Sequence, residues 1–212
     1  MIIVFARAPV PGQVKTRLIP RLGAWGAAKL HERLTRHAVR TALAARCGPV
    51  ELHGTRRHAF FELLRVPFRL QRGADLGERM RNALSAARRP AILIGSDCPA
   101  LTPRDLRRAA RWLQGGCDVV LAPAEDGGYA LIGLRRGNAA IFKGIAWGGS
   151  RVYADTLSRL EAVRWRALPR VWDVDRPEDL PRLRALRFAS TARPDAPQSR
   201  GSRAHSGGSG RT

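Results

Sequence analysis

The chain has 212 residues, of which 44% are hydrophobic and 26% are charged. This composition fits one folded domain and excludes a wholly disordered chain. No apolar run reaches the roughly 18–20 residues that a membrane span needs, and the first residues are charged too early for a secretion signal. We therefore expect a cytoplasmic protein with no membrane partner. The three cysteines lie far apart, which argues against a disulfide framework and a zinc site.

The formal net charge of +21 first raises the question of nucleic acid. All but three of the 38 basic residues are arginine, a bias that a GC-rich coding sequence would produce whatever the function. The arginines are spread over every predicted helix and are not gathered with aromatic residues along the chain. We therefore do not expect nucleic acid as a partner, and favour anionic small molecules such as nucleotides.

The predicted elements alternate between strands and helices along the chain. Residues 2–6 form a short apolar run with β-branched residues, which predicts a buried strand, and 91–95 is the clearest buried strand. Apolar positions that recur every four residues predict a helix over about 24–46. The other predicted strands are 50–53, 68–71, 118–122, 129–134 and 163–168. The other predicted helices follow the turn at 73–77, begin at Thr102-Pro103, span about 151–160 and begin near Pro177.

This alternation predicts an α/β fold, a three-layer α/β/α sandwich around a mostly parallel sheet. Past about residue 188 the composition changes to Ser, Gly, Arg, Pro and Ala, and apolar periodicity ends. We expect 1–187 to form the folded domain and 188–212 to be a disordered tail.

Ligands of parallel α/β sheets bind beyond the carboxyl ends of the strands, so the segments after each strand are the first candidates. Gly12, Lys15 and Arg17 follow the first strand, where a glycine allows close backbone approach and two cations can bind phosphate. The spacing is not that of a Walker loop. A plain basic surface loop remains the structural alternative.

Asp97 follows the central strand and is placed to hold Mg²⁺ over bound phosphates, since Mg²⁺ takes one or two carboxylates plus phosphate oxygens. A turn or helix cap is the structural alternative. Cys98 would be a nucleophile only with a histidine base nearby. No histidine lies beside a catalytic-looking motif, so we interpret Cys98 as structural.

Two further segments carry carboxylates. Asp126, Gly127 and Gly128 form a sharp turn, either a hairpin turn or a loop that touches the acceptor with Asp126 as base or hydroxyl ligand. Asp173 and Asp175 lie two apart and would face the same way in an extended segment, so one could be a second metal ligand. Asp175 could equally cap the helix that Pro177 opens.

The motifs in order are PxPGxxKTRL, GADLGERM, ILIGSDCPALT, VVLAPAEDGGYALIGL, IAWGGSRVYADTL and WDVDRPEDL. Together, over about residues 1–186, they resemble a bacterial family of candidate glycosyltransferases found alongside radical-SAM and arsenosugar-biosynthesis genes, long labelled a domain of unknown function. That family looks like a compact nucleotide-diphospho-sugar transferase fold of the GT-A type. It is also similar to 2-phospholactate guanylyltransferase and, more remotely, to molybdenum-cofactor guanylyltransferase.

The resemblance implies roles for individual residues. Lys15 and Arg17 match an element that contacts phosphates, while Asp97 and Asp175 match the two metal ligands, for Mg²⁺ or Mn²⁺. The resemblance also puts Asp75 and Gly77 near the nucleotide, and puts the turn of Asp126, Gly127 and Gly128 on the acceptor side. Arg176 departs from the pattern, which often has threonine at that position.

These observations predict a metal-dependent transferase that uses an activated nucleotide, with catalytic candidates Lys15, Asp97 and Asp126. A nucleotide-sugar donor and a small-molecule acceptor are favoured by a small margin. The first alternative is a nucleotidylyltransferase that uses a nucleoside triphosphate and a phosphorylated acceptor. The second is a non-catalytic nucleotide-binding protein.

Overall fold

The computed structural model describes residues 1–87, 90–137 and 140–186, so the predicted tail at 188–212 lies outside the described residues. The strands are β1 (Ile2–Ala6), β2 (Val50–Gly54), β3 (Phe68–Leu70), β4 (Ala91–Gly95), β5 (Val119–Pro123), β6 (Tyr129–Leu134) and β7 (Trp165–Ala167). The helices are α1 (Ile19–Ala45), α2 (Ala59–Glu62), α3 (Leu76–Ala86), α4 (Pro103–Gln114), α5 (Val152–Leu157) and α6 (Asp179–Ala185). Short 3₁₀ turns cover Thr16–Leu18 and Ala140–Phe142.

The seven strands form one sheet in the order β3-β2-β1-β4-β6-β5-β7. All neighbours pair in parallel except β6, which runs antiparallel to both β4 and β5. The α/β class and the mostly parallel sheet are therefore confirmed. The β5–β6 connection is a hairpin, as the structural alternative for the turn at Asp126 predicted.

The core lies on both faces of the sheet. Side chains of β1 point alternately to the two sides: Ile2 and Val4 pack with α1 and α4, whereas Ile3 and Phe5 pack with α3. A third, smaller cluster joins the start of α1 to the segment before α6, through Leu18 and Val174. This cluster brings the last part of the chain to the carboxyl edge of the sheet.

Local sequence signals explain several element boundaries. Thr102 caps α4 in a capping box with Asp105, with Pro103 at the first position, as predicted. Helix α1 begins about five residues before its predicted start. Its backbone leaves the helical region at Gly23 (φ 69°), so the part of the helix after this kink begins where the apolar periodicity predicted. Helix α2 was not predicted. Among the described helices, none has the length and apolar character needed to cross a bilayer.

Candidate functional site

A cavity of about 330 Å³ opens at the carboxyl edge of the sheet. Strands β1 and β4 are parallel neighbours, with Phe5 opposite Gly95, so the segments after both strands leave the sheet at this edge. The cavity is lined by Arg7, Gln13, Val14, Lys15, Thr16, Arg17, His31, Asp97 and Asp175. Four of the predicted phosphate and metal residues therefore share one cavity, although they come from three distant parts of the sequence.

Lys15 and Asp97 form the ion pair at the base of this cavity. The Lys15 Nζ lies 3.0 Å from Asp97 Oδ1; the lysine side chain is 4% exposed and the aspartate side chain 45% exposed. Burial opposes ionisation of Asp97, but the ammonium of Lys15 favours the carboxylate and holds the pKa of Asp97 well below its usual range. Asp97 is therefore charged at neutral pH, and it does not cap a helix.

Arg17 and Asp175 form a second ion pair on the exposed side of the cavity. The Val174 N–H donates to the backbone carbonyl of Asp97 at 2.9 Å, which fastens this late segment to the end of β4. The carboxylate of Asp179 accepts from the N–H groups of Asp175 and Arg176. The alternative in which Asp175 caps the last helix is wrong, because no described side chain accepts a capping bond at the start of α6, and Asp175 instead lines the cavity.

His31, on α1, is a site residue that the sequence reasoning missed. Its ring is 3% exposed, Nδ1 lies 3.6 Å from Asp97 Oδ1, and Nε2 is 3.0 Å from the carbonyl oxygen of Arg7. The expectation that no histidine lies beside a candidate motif is therefore wrong. Helical spacing marks His31 and Thr35 as one buried polar stripe, but only the packing of α1 on the sheet brings that stripe to Asp97.

A second group of carboxylates surrounds Cys98. Burial and then the charge of Asp126 raise the pKa of Asp173 to about 6. Burial, followed by the charges of Asp173, Asp97 and Asp126, raises the pKa of the Cys98 thiol well above its usual value. Cys98 is therefore a thiol at neutral pH, in agreement with its interpretation as structural. Asp126 Oδ1 also accepts from the Gly128 N–H at 2.9 Å and so stabilises the hairpin turn.

The remaining predicted site residues have visible structural roles and are not among the residues lining the cavity. Asp75 caps α3 by accepting from the Glu78 N–H at 2.8 Å. Gly77 lies against the indole of Trp147, since a Cβ there would be 2.3 Å from the ring. Gly12 adopts a φ of 82° in the loop before Lys15.

The donor set can be tested against a divalent cation. Asp97 and Asp175 offer carboxylate oxygens to one cavity, and Mg²⁺ or Mn²⁺ binds such oxygens together with phosphate oxygens and water. Within the described parts of the chain, no three His, Cys, Asp or Glu side chains are grouped closely enough to hold an ion by themselves. These residues therefore fit a cation whose other ligands are oxygens of a bound phosphate and water, rather than a cation held wholly by protein side chains.

The family described as "Uncharacterized protein conserved in bacteria (DUF2064)" matches residues 35–149, and the chain belongs to this family. A search of curated proteins finds no significant match. Among solved structures, a candidate nucleotide-diphospho-sugar transferase from Desulfovibrio desulfuricans G20 is 32% identical, with a TM-score of 0.81, over 91% of this chain and 89% of that one.

Two more distant structures share the fold. A CMP-2-keto-3-deoxy-manno-octonic acid synthetase complexed with CTP has a TM-score of 0.59 at 13% identity, over 88% of this chain and 97% of that one. Rv0371c from Mycobacterium tuberculosis H37Rv, in complex with manganese, has a TM-score of 0.50 at 17% identity, over 86% and 96%. The predicted nucleotide-diphospho-sugar transferase type of fold is thereby confirmed.

Proposed function

We propose that this DUF2064 protein is a divalent-cation-dependent transferase that takes a nucleotide sugar as donor and a small molecule as acceptor. One observation carries the proposal: Lys15, Arg17, Asp97 and Asp175 face a single cavity at the carboxyl edge of the sheet. The similarity to the Desulfovibrio protein, which is named for nucleotide-diphospho-sugar transfer, supports the choice of donor.

The two basic residues would bind the diphosphate of the donor. Arg17 is 64% exposed and can present its guanidinium to two phosphate oxygens, while Lys15 acts as a buried point charge. Both cations are now paired with carboxylates, so a diphosphate would exchange one set of anionic partners for another. Their charge would stabilise the diphosphate as it leaves the sugar.

Asp97 and Asp175 would hold the cation, Mg²⁺ or Mn²⁺, between the protein and the phosphates. When bound, the cation supplies additional positive charge for the leaving diphosphate. The depressed pKa of Asp97 keeps this carboxylate ionised at any physiological pH, as a metal ligand must be. A solved structure of similar fold, Rv0371c, is in complex with manganese, which supports a divalent cation at this site.

The acceptor hydroxyl would approach from the side of the β5–β6 turn, where Asp126 is the candidate base with Gly127 and Gly128 beside it. Asp126 lies close enough to Asp173 for its charge to raise the pKa of Asp173, so the two carboxylates are neighbours on this side of the site.

A nucleotidylyltransferase is the second candidate. The pair of Lys15 and Arg17 also suits the pyrophosphate leaving group of a nucleoside triphosphate, and one fold neighbour is complexed with CTP. The resemblance to guanylyltransferases also favours nucleotidylyl transfer. The association with arsenosugar-biosynthesis genes stays a prediction and does not distinguish the two reactions. In this reaction an acceptor phosphate would attack the α-phosphorus and pyrophosphate would leave. The divalent cation, Lys15 and Arg17 would act by positioning the phosphates and stabilising their charge.

Thermal-shift screening of nucleotides and nucleotide sugars, with and without Mg²⁺ or Mn²⁺, tests the binding step. A ligand that binds only the folded state stabilises it and so raises Tm. The stabilisation is about 2.7 kcal/mol when the ligand concentration is a hundred times Kd. The proposal expects a cation-dependent shift with nucleotide sugars that Asp97→Asn abolishes. Asp155→Asn is the matched control, because Asp155 pairs with Arg151 at the start of α5 and is not among the residues that line the cavity.

Product analysis then separates the candidates. Release of a nucleoside diphosphate from a nucleotide sugar supports glycosyl transfer, whereas pyrophosphate released from a triphosphate supports nucleotidylyl transfer. Asp97→Asn should lower either rate at least about a hundredfold, as for loss of other charge-stabilising groups. Cation-dependent binding that Asp97→Asn leaves intact, with no turnover, would instead indicate a non-catalytic nucleotide-binding protein.

A further inference from the structure

We propose that Nδ1 of His31 is a direct ligand of the divalent cation bound by Asp97, so that the site selects Mn²⁺ over Mg²⁺. This inference rests on the proposed function only in requiring that a cation binds at Asp97. It goes beyond the two carboxylates expected from the sequence, since the new ligand is a nitrogen from α1.

The hydrogen bond at Nε2 determines which nitrogen is available. A backbone carbonyl oxygen can only accept, so Nε2 must carry a proton and donate it to the carbonyl of Arg7, 3.0 Å away. In the neutral ring the lone pair is then on Nδ1. Metal-binding histidines commonly have this arrangement, with the second nitrogen donating to a backbone carbonyl that fixes the ring.

Burial makes the free lone pair significant. The His31 side chain is 3% exposed, and its Nδ1 is a buried atom that makes no hydrogen bond in the described structure. An unsatisfied buried polar atom lowers the stability of the folded protein, because it has lost its hydrogen bonds to water without replacing them. Such a cost is expected to persist where a ligand compensates for it, and His31 lines the same cavity as Asp97.

The distance between the two donor atoms fits one shared cation. Nδ1 lies 3.6 Å from Asp97 Oδ1, which is within the about 4.2 Å that two ligands at about 2.1 Å from one ion can span, at an angle of about 118° that is slightly wider than tetrahedral. Lys15 Nζ contacts the same oxygen, so ammonium and cation compete for it. Phosphate that attracts Lys15 would therefore favour cation binding.

A nitrogen ligand changes the choice of metal. Mg²⁺ binds oxygen donors almost exclusively and gives up water reluctantly, whereas imidazole is a good ligand for first-row transition metals. Mn²⁺ accepts both carboxylate and imidazole, and it is paramagnetic, so it serves as a direct probe. We expect Mn²⁺ to bind at least about tenfold more tightly than Mg²⁺, and His31→Gln to remove this preference.

Pulsed electron paramagnetic resonance of the full chain loaded with Mn²⁺ tests the inference without any activity assay. Protein labelled with ¹⁵N only in histidine imidazole should show a ¹⁵N hyperfine coupling to Mn²⁺. The coupling should vanish in His31→Gln and persist in His53→Gln. His53 is the matched control because it is also a buried histidine, but pairs with Glu51 on β2.

The outcomes separate this inference from the proposed function. Mn²⁺ that binds through Asp97 without a histidine coupling overturns the nitrogen ligand and leaves the transferase proposal standing. A coupling in a protein that transfers nothing keeps the ligand and removes the proposed reaction. An imidazolium that donates from both nitrogens, to Arg7 and to Asp97, would give no coupling and would also overturn the inference. A wild-type spectrum without a ¹⁵N coupling overturns the inference even if His31→Gln fails to fold.

Discussion

Asp97→Asn should destabilise the protein more than Lys15→Met, although each substitution removes one half of the same ion pair. The reason is the unequal burial of the two partners: the lysine side chain is 4% exposed and the aspartate side chain 45% exposed. Without Asp97, a nearly buried ammonium loses its counter-ion. Without Lys15, the half-exposed carboxylate of Asp97 remains solvated by water. The methionine side chain retains most of the packing contacts of the lysine stem.

The magnitudes follow from that difference. Leaving a buried charge unpaired costs about 3–5 kcal/mol, and the lower end applies because an asparagine oxygen can still accept from the ammonium. Lys15→Met should cost about 1 kcal/mol, as for a partly solvated pair. Urea unfolding at pH 7, followed by tryptophan fluorescence, measures both. Equal costs, or a larger cost for Lys15→Met, would refute the argument from burial.

The same unfolding measurements at lower pH test how the contribution of Asp97 to stability depends on its ionisation. Because the pKa of Asp97 is depressed in the folded protein, its stabilisation is fully present above the unfolded pKa of about 3.9 and is lost as the pH falls further. The gap between wild type and Asp97→Asn should therefore be full at pH 7 and narrow below about pH 4. The control variant Asp155→Asn removes a carboxylate whose ion-pair partner, Arg151, is 83% exposed, and should stay within about 0.5 kcal/mol of wild type throughout.

Three further changes test other parts of the site. Arg17→Ala should barely change stability, since this side chain is 64% exposed, but should weaken nucleotide binding about tenfold by calorimetry; unchanged affinity would contradict its phosphate role. Gly127→Ala should lower stability by at least about 2 kcal/mol in thermal unfolding, because φ is 88° and a Cβ would lie 1.9 Å from the Ser150 carbonyl oxygen. With a folded pKa of about 6 for Asp173, Asp173→Asn should stabilise the protein by about 1–2 kcal/mol at pH 8. That gain should shrink as the pH falls through 6 and be absent below about pH 4, and a gain independent of pH would contradict it.

Local physics explains what could be predicted from the sequence. A Thr-Pro pair with Asp105 three positions after Thr102 determines the start of α4 through bonds within one turn. Short apolar runs mark β1 and β4, because strands that are buried on both faces have no polar alternation. Once those strands are parallel neighbours, the segments that carry Lys15 and Asp97 must leave the sheet at the same edge.

The sequence by itself thus determined the sheet class and the main strands and helices, and it predicted which loops would bind phosphate. Only the tertiary structure decided which groups meet there: His31 beside Asp97, Asp175 paired with Arg17, and a buried Lys15. It also set the antiparallel direction of β6. These contacts join residues far apart in the chain, and their distances depend on how α1 and the last segment pack on the sheet. No local pattern of residues encodes that packing, because it results from the whole core.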